Sequence, residues 1–224
     1  MKSELNTCNI RPNVLTNFSR AVSEPELGEG SYVSPEASVI GNVIIGERVY
    51  LGPQSFVRGD EGQPILVGDD CNIQDCAGIH GLETEEQDEN GNWHFVEGRR
   101  FSADGRRLSQ NDDTQGYTVW LGKRISIAHQ ALVHGPAWVG EGTFVGMQSL
   151  VFNAKVGRNV VVGVKSVVTE GVVIPDNAYI PAGSVITTQE QADNLGKAAG
   201  TPYERLNDAV VHVNISLAKA YNKS

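Results

Sequence analysis

Residues 121–151 read LGKRISIAHQALVHGPAWVGEGTFVGMQSLV, and every sixth residue of this stretch, beginning with Leu121, is aliphatic. The same spacing runs through most of the chain, and its aliphatic positions are Val33, Val39, Ile45, Leu51, Val57, Val67, Ile73, Ile79, Leu121, Ile127, Val133, Val139, Val145, Val151, Val156, Val162, Val168, Ile174, Ile180 and Ile186. A small or β-branched residue stands four positions after most of them, and glycine or proline often follows directly. This repeat of an aliphatic residue, a tight corner and a small residue predicts short strands wound into a prism, with the aliphatic side chains stacked inside.

The repeat predicts an all-β solenoid, because an ordinary sandwich would not keep one fixed period over so many strands. The pattern resembles the left-handed parallel β-helix of the hexapeptide-repeat proteins, in which three hexads make one coil. The left-handed sense is implied by that resemblance alone, since general rules of chain crossover favour the right-handed one.

Three segments depart from the repeat and divide the chain. Residues 1–32 are irregular and are predicted to wrap the first coil, where an open strand edge would invite pairing. Residues 83–118 interrupt the β-helix of residues 33–189, and the turn signals Asn90-Gly91 and Asp104-Gly105 predict one or two hairpins that project from the prism. Residues 190–224 form a helical segment. A helix over residues 203–221 is predicted from an apolar stripe that would pack on the solenoid or on a neighbouring subunit, and the stripe consists of Leu206, Val210, Val213 and Leu217.

Composition narrows the classes of partner. The formal net charge of −9 argues against nucleic acid or an anionic membrane, because both would repel the chain. The first residues, MKSELNTCNI, lack the apolar core of a secretory signal, so a cytoplasmic location is expected. Cys8, Cys71 and Cys76 lack metal-ligand spacing, and Cys71 falls at a small inward position, which predicts a packed free thiol.

Two histidines share one position of the repeat. His80 directly follows Ile79, and His134 directly follows Val133, so both side chains are predicted to point outward. If the chain rejoins the β-helix in register after the insertion, His134 lies directly above His80, at the inter-strand spacing of about 4.8 Å. Two imidazoles this close are able to share one metal ion.

A third histidine occupies a different face of the prism. His129 follows Ile127 by two positions, which places it around a corner from His134. A neighbouring copy of the chain is therefore the expected source of a third ligand, and a three-sided prism favours a homotrimer. Three neutral imidazoles suit a tetrahedral zinc ion with one position open to water. The alternative is that these histidines are outward polar residues at a subunit seam.

Two segments carry a more specific resemblance. They are RGDEGQPILVGDDCNIQDCAGIHGLE, residues 58–83, and IAHQALVHGPAWVGEGTFVGMQSLVF, residues 127–152. With the late segment PAGSVITTQEQAD and the C-terminal helix, they resemble the γ-class carbonic anhydrases over nearly the whole chain. The acidic stretch after His80 is similar to the archaeal type of that family, and the IHGL motif is similar to its carboxysomal branch.

This resemblance implies an enzyme, a lyase that interconverts carbon dioxide and bicarbonate through a metal-bound hydroxide at a trimer interface. It implies that His80 and His134 are zinc ligands from one subunit and that His129 is the ligand from the next. It also implies that Glu61 is a carboxylate beside the metal-bound water, that Gln74 orients the hydroxide and that Glu83 is a proton shuttle. Asn72 and Asn214 would be polar neighbours of the site. Arg58, Asp60 and Asp75 would form a charged cluster at the subunit interface.

These roles agree with the chemistry of the reaction. The metal supplies the nucleophile near neutral pH, so the protein must mainly remove a proton after each turnover. Glu61 is placed to take the proton near the metal and Glu83 to pass it outward, although Glu83 also reads as a solvated acidic loop residue. Three imidazoles accept Zn²⁺, and also Fe²⁺ or Co²⁺.

The chain also departs from the family pattern. His212 stands where an aromatic residue is expected two positions before Asn214, and Phe18 stands near the expected position of a tryptophan. The insertion is longer than that of the archaeal type and has a basic stretch of its own, which consists of Arg99, Arg100, Arg106 and Arg107. These departures bear on the proton exit route and the turnover rate, and they leave the three histidines intact.

Two other functions fit the sequence. The first is a non-catalytic bicarbonate-binding or assembly protein on the same fold, which keeps the ligands but lacks competent proton transfer. The second is a hexapeptide acyltransferase, which would use a histidine as a general base and would not need three convergent histidines. His94, in the insertion, is expected to be solvated, and His212 is expected on the C-terminal helix.

Overall fold

A computed structural model describes residues 9–223 of the chain, which form a parallel β-helix with three faces. The predicted all-β solenoid with a C-terminal helix is confirmed. Cys8 lies outside the described residues, as does the rest of the segment 1–8. Within residues 9–223 no helix is long and apolar enough to cross a membrane.

Each face is a stack of short parallel strands, one from each coil. The strands of the first face are Tyr32–Val33, Tyr50–Leu51, Asn72–Ile73, Ser126–Ile127, Phe144–Val145, Val161–Val162 and Ala178–Ile180, with Gly196–Lys197 added antiparallel at the end. Those of the second face are Ile10–Arg11, Ser38–Gly41, Phe56–Gly59, Gly78–His80, the first half of Leu132–Val139, the first half of Leu150–Val156, Val167–Val168 and Val185–Ile186. Those of the third face are Glu26–Leu27, Val43–Ile45, Ile65–Val67, Val119–Leu121, the second halves of the same two long strands, and Val173–Ile174.

The core is the column of side chains that the repeat predicts. Of the twenty aliphatic positions, only Val33, in the first coil, is more than 6% exposed, and it still packs against the core. Burial of each such side chain contributes about 1.5–3 kcal/mol, so the stacked column is the main source of stability. Cys71 joins this core as a free thiol, as predicted, and burial raises its pKa to about 12.

The glycines after the aliphatic positions have a different role from the tight corner that the sequence suggests. Left-handed backbone occurs two residues later, at residues such as Asp70 and Arg124, with φ of 59° and 57°. Gly68 itself has no space for a side chain, because an added Cβ would lie 2.6 Å from the carbonyl oxygen of Gly122 on the next coil. Close stacking of the coils therefore requires these glycines.

The insertion contains two antiparallel hairpins, as predicted. The first pairs Glu85–Gln87 with Trp93–Phe95, and the second pairs Arg100–Phe101 with Arg107–Leu108. The second hairpin does not simply project, because it lies on the third face: Trp138 Nε1 donates to the Ala103 carbonyl at 3.2 Å.

The N-terminal segment does cover the edge of the solenoid, but its described residues are more regular than expected. Ile10–Arg11 pairs in parallel with Ser38–Gly41, and Glu26–Leu27 pairs with Val43–Ile45. Both short strands satisfy backbone groups that an open first coil would leave exposed.

The C-terminal segment holds a short helix, Gln189–Asp193, and a long one, Leu206–Tyr221. The long helix packs on the first face, and its buried residues are Asn207, Val211, Asn214 and Ala218. Of the predicted stripe, Leu206 and Val210 are partly buried and pack against the core. Hydrogen bonds fix this orientation of the helix, because Asn207 Nδ2 donates to the carbonyls of Arg124 and Gly142 at 2.8 Å each. Val213 and Leu217 of the predicted stripe are left 53% and 36% exposed.

Candidate metal centre

One outward column of the second face carries the two matching histidines. The register pairs His80 with His134, as the hexad spacing predicts, and places Arg58 below and Phe152 above them. The imidazole centroids of His80 and His134 are 4.8 Å apart. The edge of the His134 ring also meets Phe152, at 5.3 Å between centroids.

The repeat is interrupted at the corner between the second and third faces, next to this column. The chain leaves the second face after Gly59 and enters the third face at Ile65, so that residues 60–64 form a short loop between the two faces. The insertion 83–118 leaves at the same corner one coil later. In the following coil, one extra residue bulges out between His134 and Ala137. Breaks in the hexad pattern therefore build an irregular wall beside the histidines.

Hydrogen bonds fix the two imidazoles relative to each other. His134 Nδ1 lies 2.9 Å from the Gly135 carbonyl, which only accepts, so Nδ1 carries the proton and Nε2 is free to accept. His80 Nδ1 lies 3.0 Å from that His134 Nε2 and is the matching donor. The pair is thus held with two ring nitrogens pointing at each other.

Arg58 and two carboxylates lie on the other edge of His80. Arg58 Nη2 is 2.7 Å from His80 Nε2 and 3.0 Å from Glu61 Oε1, and its Nε is 2.9 Å from Asp60 Oδ1. Because arginine only donates, His80 Nε2 presents a lone pair, and Arg58 bridges it to Glu61. Burial lowers the pKa of His80, and the charge of Arg58 adds to this against the opposing effect of Glu61. The geometry therefore favours the neutral imidazole that a metal requires.

Thr118, at the end of the insertion, holds the segments that follow both histidines. Its Oγ1 accepts from Leu82 N at 3.1 Å, and its carbonyl accepts from Ala137 N at 3.0 Å. Gly81 and Gly135 pack so closely on Thr118 that an added Cβ would lie 2.4 Å and 2.6 Å from its side chain. Such supporting contacts orient metal ligands.

Glu83 lies at the start of the insertion, three residues after His80. Its carboxylate pairs with Arg99 Nη1 at 2.6 Å. Partial burial opposes ionisation of Glu83, but a backbone hydrogen bond and Arg99 outweigh it and hold its pKa below the ordinary value, with a contribution from His134. The Glu83 carboxylate is therefore held by Arg99 of the insertion.

The remaining candidate residues lie together on the first face. Gln74 Nε2 donates to Asn72 Oδ1 at 2.9 Å, and Asn72 Nδ2 donates to Ser126 Oγ at 2.9 Å. His129 Nδ1 lies 3.5 Å from Asp75 Oδ2. Gln74, Asp75, His129 and Asn214 line one groove of about 660 Å³ between this face and the long helix.

One chain thus divides the candidate site residues into two groups. Arg58, Asp60, Glu61, His80, His134 and Glu83 belong to the second face and its corner, and Asn72, Gln74, Asp75, His129 and Asn214 belong to the first. Asp75 contacts His129 rather than Arg58, so the charged cluster is not assembled within one chain. In the described part of the chain, no potential ligand group within 4.8 Å includes His129.

The donor set of the second face fits a zinc-type cation. His80 Nδ1 and His134 Nε2 converge at 3.0 Å. On the Nε2 edge of His80, the carboxylates of Asp60 and Glu61 form a separate group with it, whose ligand atoms are within 4.8 Å of one another. Nitrogen and carboxylate oxygen are the ligands that Zn²⁺ takes in proteins. With two imidazoles the set is one short of the three that the sequence suggests.

The sequence interpretation missed Phe152 and Thr118 of this neighbourhood, and it named Arg99 only as part of a basic stretch. Phe152 directly follows Val151 and so occupies the same repeat position as His80, which is a signal the hexads already contained. Thr118 and Arg99 belong to the insertion, whose path the repeat does not predict. His94 pairs with Glu86 in the first hairpin at 3.1 Å, and His212 is exposed on the long helix, so neither joins the site.

Comparisons with known proteins agree with the fold. Residues 153–188 match a family model described as the hexapeptide repeat of succinyl-transferase. A hexapeptide transferase family protein from Anaplasma phagocytophilum superimposes with a TM-score of 0.62 at 20% identity, over 89% of this chain and 93% of that one. Fold and repeat together define a hexapeptide-repeat protein.

Sequence relatives narrow this class. A carbonic anhydrase from Methanosarcina thermophila is 42% identical over 96% of this chain and 82% of its own length. The carboxysome assembly protein CcmM from a Nostoc species is 39% identical over 80% of this chain, but over only 28% of its own length. The chain belongs to the γ-class carbonic anhydrase family.

Proposed function

We propose that this protein catalyses the reversible hydration of carbon dioxide to bicarbonate and a proton, at a metal centre shared between neighbouring copies of a homotrimer. The observation that carries the proposal is the orientation of His80 and His134, whose Nδ1 and Nε2 atoms converge at 3.0 Å. The relationship to a carbonic anhydrase, at 42% identity over 96% of the chain, supports the reaction.

His129 of a neighbouring copy would complete the ligand set of a cation held by His80 and His134. His129 is 50% exposed and lies at the rim of an open groove, so it is free to reach another chain. When bound, a zinc-type ion acts as a Lewis acid that makes hydroxide available to carbon dioxide near neutral pH. Zn²⁺ is the proposed ion, and three imidazoles also accept Fe²⁺ or Co²⁺.

The other residues of the site orient the reacting oxygen species or transfer protons. Glu61 accepts the first proton, because it lies 3.1 Å from His80 Nε2 at the edge of the pair. Gln74, oriented by its hydrogen bond to Asn72, orients the reacting oxygen species. Asn214 lines the same groove, and Glu83 passes the proton outward.

The charged residues of the second face act on the assembly. Arg58 holds Asp60 and Glu61 within one chain, at 2.9 Å and 3.0 Å. Asp75 is 51% exposed on the opposite group, where a neighbouring copy's Arg58 would complete the cluster. Such a contact would set the spacing between the two ligand groups and so act on the metal indirectly.

Metal analysis combined with stopped-flow carbon dioxide hydration tests the proposal. We expect about one tightly held ion per chain, and an anomalous-scattering map should place it between His80 and His134 of one copy and His129 of the next. Hydration activity that survives complete removal of the metal would contradict the proposal.

A second candidate function is that of a non-catalytic assembly or bicarbonate-binding protein. The 39% identity to a carboxysome assembly protein favours it, as do the exposed His212 and the long insertion. The two functions separate in the same assay, because metal-loaded protein without hydration activity would support the second. A hexapeptide acyltransferase is the third alternative, and acetyl-CoA turnover without metal would identify it.

A further inference from the structure

The backbone on both sides of Glu83 is fixed. On one side, Leu82 N donates to Thr118 Oγ1 at 3.1 Å. On the other, Thr84 is fully buried, and its Oγ1 accepts from Gln63 N at 2.8 Å. Glu83 therefore leaves the corner beside the histidine column at a defined point, and only its side chain is free to move.

Arg99 removes much of that remaining freedom. Its Nη1 contacts Glu83 Oε1 at 2.6 Å and the Glu83 backbone carbonyl at 3.0 Å, which folds the carboxylate back toward its own main chain. Arg99 lies in a turn, in which Arg99 N donates to the Val96 carbonyl at 3.3 Å. The turn is tied to Thr84, because Val96 N donates to the Thr84 carbonyl at 2.9 Å. The insertion thus holds Arg99 against Glu83 through a backbone contact with Thr84, the residue that follows Glu83.

This contact opposes what a proton carrier needs. A carrier must accept a proton and then turn to release it, whereas a neighbouring arginine, which stays charged, favours the ionised carboxylate and fixes its rotamer. The lowered pKa of Glu83, to which Arg99 contributes, is in keeping with this geometry. Each unit of mismatch between the pKa of a proton donor and that of its acceptor costs about tenfold in the transfer equilibrium.

We propose that Arg99 is a positioning residue that restrains Glu83 and slows the removal of protons from the candidate metal centre. This inference rests on the proposed function and on the role of Glu83 as carrier. The proton released at the centre passes to the Glu83 carboxylate, which becomes a carboxylic acid, and then to a base of the buffer. Only O–H bonds form and break on Glu83.

An Arg99→Gln variant tests the kinetic part. In dilute buffer we expect kcat for hydration to rise by up to about fivefold, the most that a pair of this exposure is worth, while kcat/KM stays unchanged. Concentrated imidazole buffer should narrow the difference, because it removes the proton by another route. Arg99→Lys should stay near the wild type, and the matched control Arg106→Gln, which loses only a surface pair with Asp112, should change nothing.

The same substitution in a Glu83→Gln background shows whether Arg99 acts through Glu83. We expect Arg99→Gln to have no effect on kcat there, since the carrier is gone. A rise of similar size in both backgrounds would overturn the inference, as would an unchanged or lower kcat of Arg99→Gln in dilute buffer.

Carboxyl ¹³C NMR of metal-free protein supplies a readout that does not depend on activity. The pKa of Glu83 should rise toward its ordinary value in Arg99→Gln and stay low in Arg106→Gln. If the wild-type enzyme shows no hydration at all, the proposed function fails, and this titration alone decides the restraint. A pKa of Glu83 that does not rise in Arg99→Gln would then refute it.

Discussion

The first and second faces of the β-helix each carry part of the candidate site, and they are organised differently. On the second face, His80 is only 15% exposed and is held by both Arg58 and His134, at 2.7 Å and 3.0 Å. On the first face, His129 is 50% exposed, and its nearest charged group is Asp75, at 3.5 Å. One face holds its ligands in place, and the other presents its ligand to the outside.

Under the proposed function, this difference would couple assembly to metal binding. A cation that contacts both groups binds the assembled form more tightly than the separate chains, so metal stabilises the assembly and assembly raises metal affinity. In the proposed assembly, the ordered pair would lower the entropic cost of metal binding, and the exposed histidine would leave the site incomplete until a second chain binds. The predictions below alter one group at a time.

Removing a ligand from the ordered pair should have the largest effect. We expect His134→Ala to lower kcat/KM for carbon dioxide hydration roughly a hundredfold or more and to reduce the bound metal, because the convergent nitrogen is lost. Stopped-flow assay and metal analysis measure both effects. His94→Ala, in the first hairpin, is the control and should keep full activity; full activity in His134→Ala would refute the metal mechanism.

Removing the support of the ordered pair should have an intermediate effect. Arg58→Gln leaves all three histidines in place but removes the charge that bridges His80 and Glu61, and we expect metal affinity to fall by about 10–100-fold. Competition with a chelator measures this. Arg48→Gln, which loses only surface pairs with Glu47 and Asp70, is the control. Equal affinities in Arg58→Gln and the control would show that Arg58 does not orient the pair.

A charge placed on the first face, in the groove that contains His129, should weaken association of the chains without loss of the fold. Val213 is 53% exposed in one chain and lines the groove that contains His129, so Val213→Asp should weaken association by roughly tenfold or more while far-UV circular dichroism stays unchanged. Sedimentation velocity measures the assembly. The control is Val173→Asp on the third face, where the residue is 45% exposed. Equal behaviour of both variants would place the interface elsewhere.

The smallest effect concerns pH and Glu83. Because its pKa is lowered in the folded protein, its ion pair contributes stability above the ordinary glutamate pKa, and that contribution is lost as pH falls through the lowered value. Glu83 is 40% exposed, so its ion pair contributes little. Between pH 7 and acidic pH, we expect the free energy of unfolding of the wild type to fall by at most about 0.5 kcal/mol more than that of Glu83→Gln. Urea unfolding at several pH values measures the difference, and parallel curves for the two proteins would contradict it.

Much of the fold and the centre of the site follow from the sequence. The hexad spacing fixes which residues are buried, and it predicts that His80 and His134 are neighbours, because every coil repeats the same geometry. It predicts equally that His129 faces away from them. Even Phe152 is predictable in this way, since it shares the repeat position of His80.

The rest depends on contacts that the period does not encode. The path of the insertion, which brings Arg99 to Glu83, depends on two hairpins whose packing on the solenoid is set by particular side chains such as Trp138. Only half of the predicted helix stripe packs on the solenoid, because the hydrogen bonds of Asn207 turn Val213 and Leu217 away from it. Non-periodic polar contacts decide both cases.

A complementation experiment tests the sharing of the metal between chains most directly. His129→Ala and His134→Ala chains, each expected to be inactive alone, are co-expressed in equal amounts and purified together, without separation of mixed trimers from homotrimers. In random mixtures about a quarter of the interfaces pair an intact His80–His134 group with an intact His129, so hydration activity should return to about a quarter of the wild-type value. Activity no higher than that of the separate variants would contradict a site built from two chains.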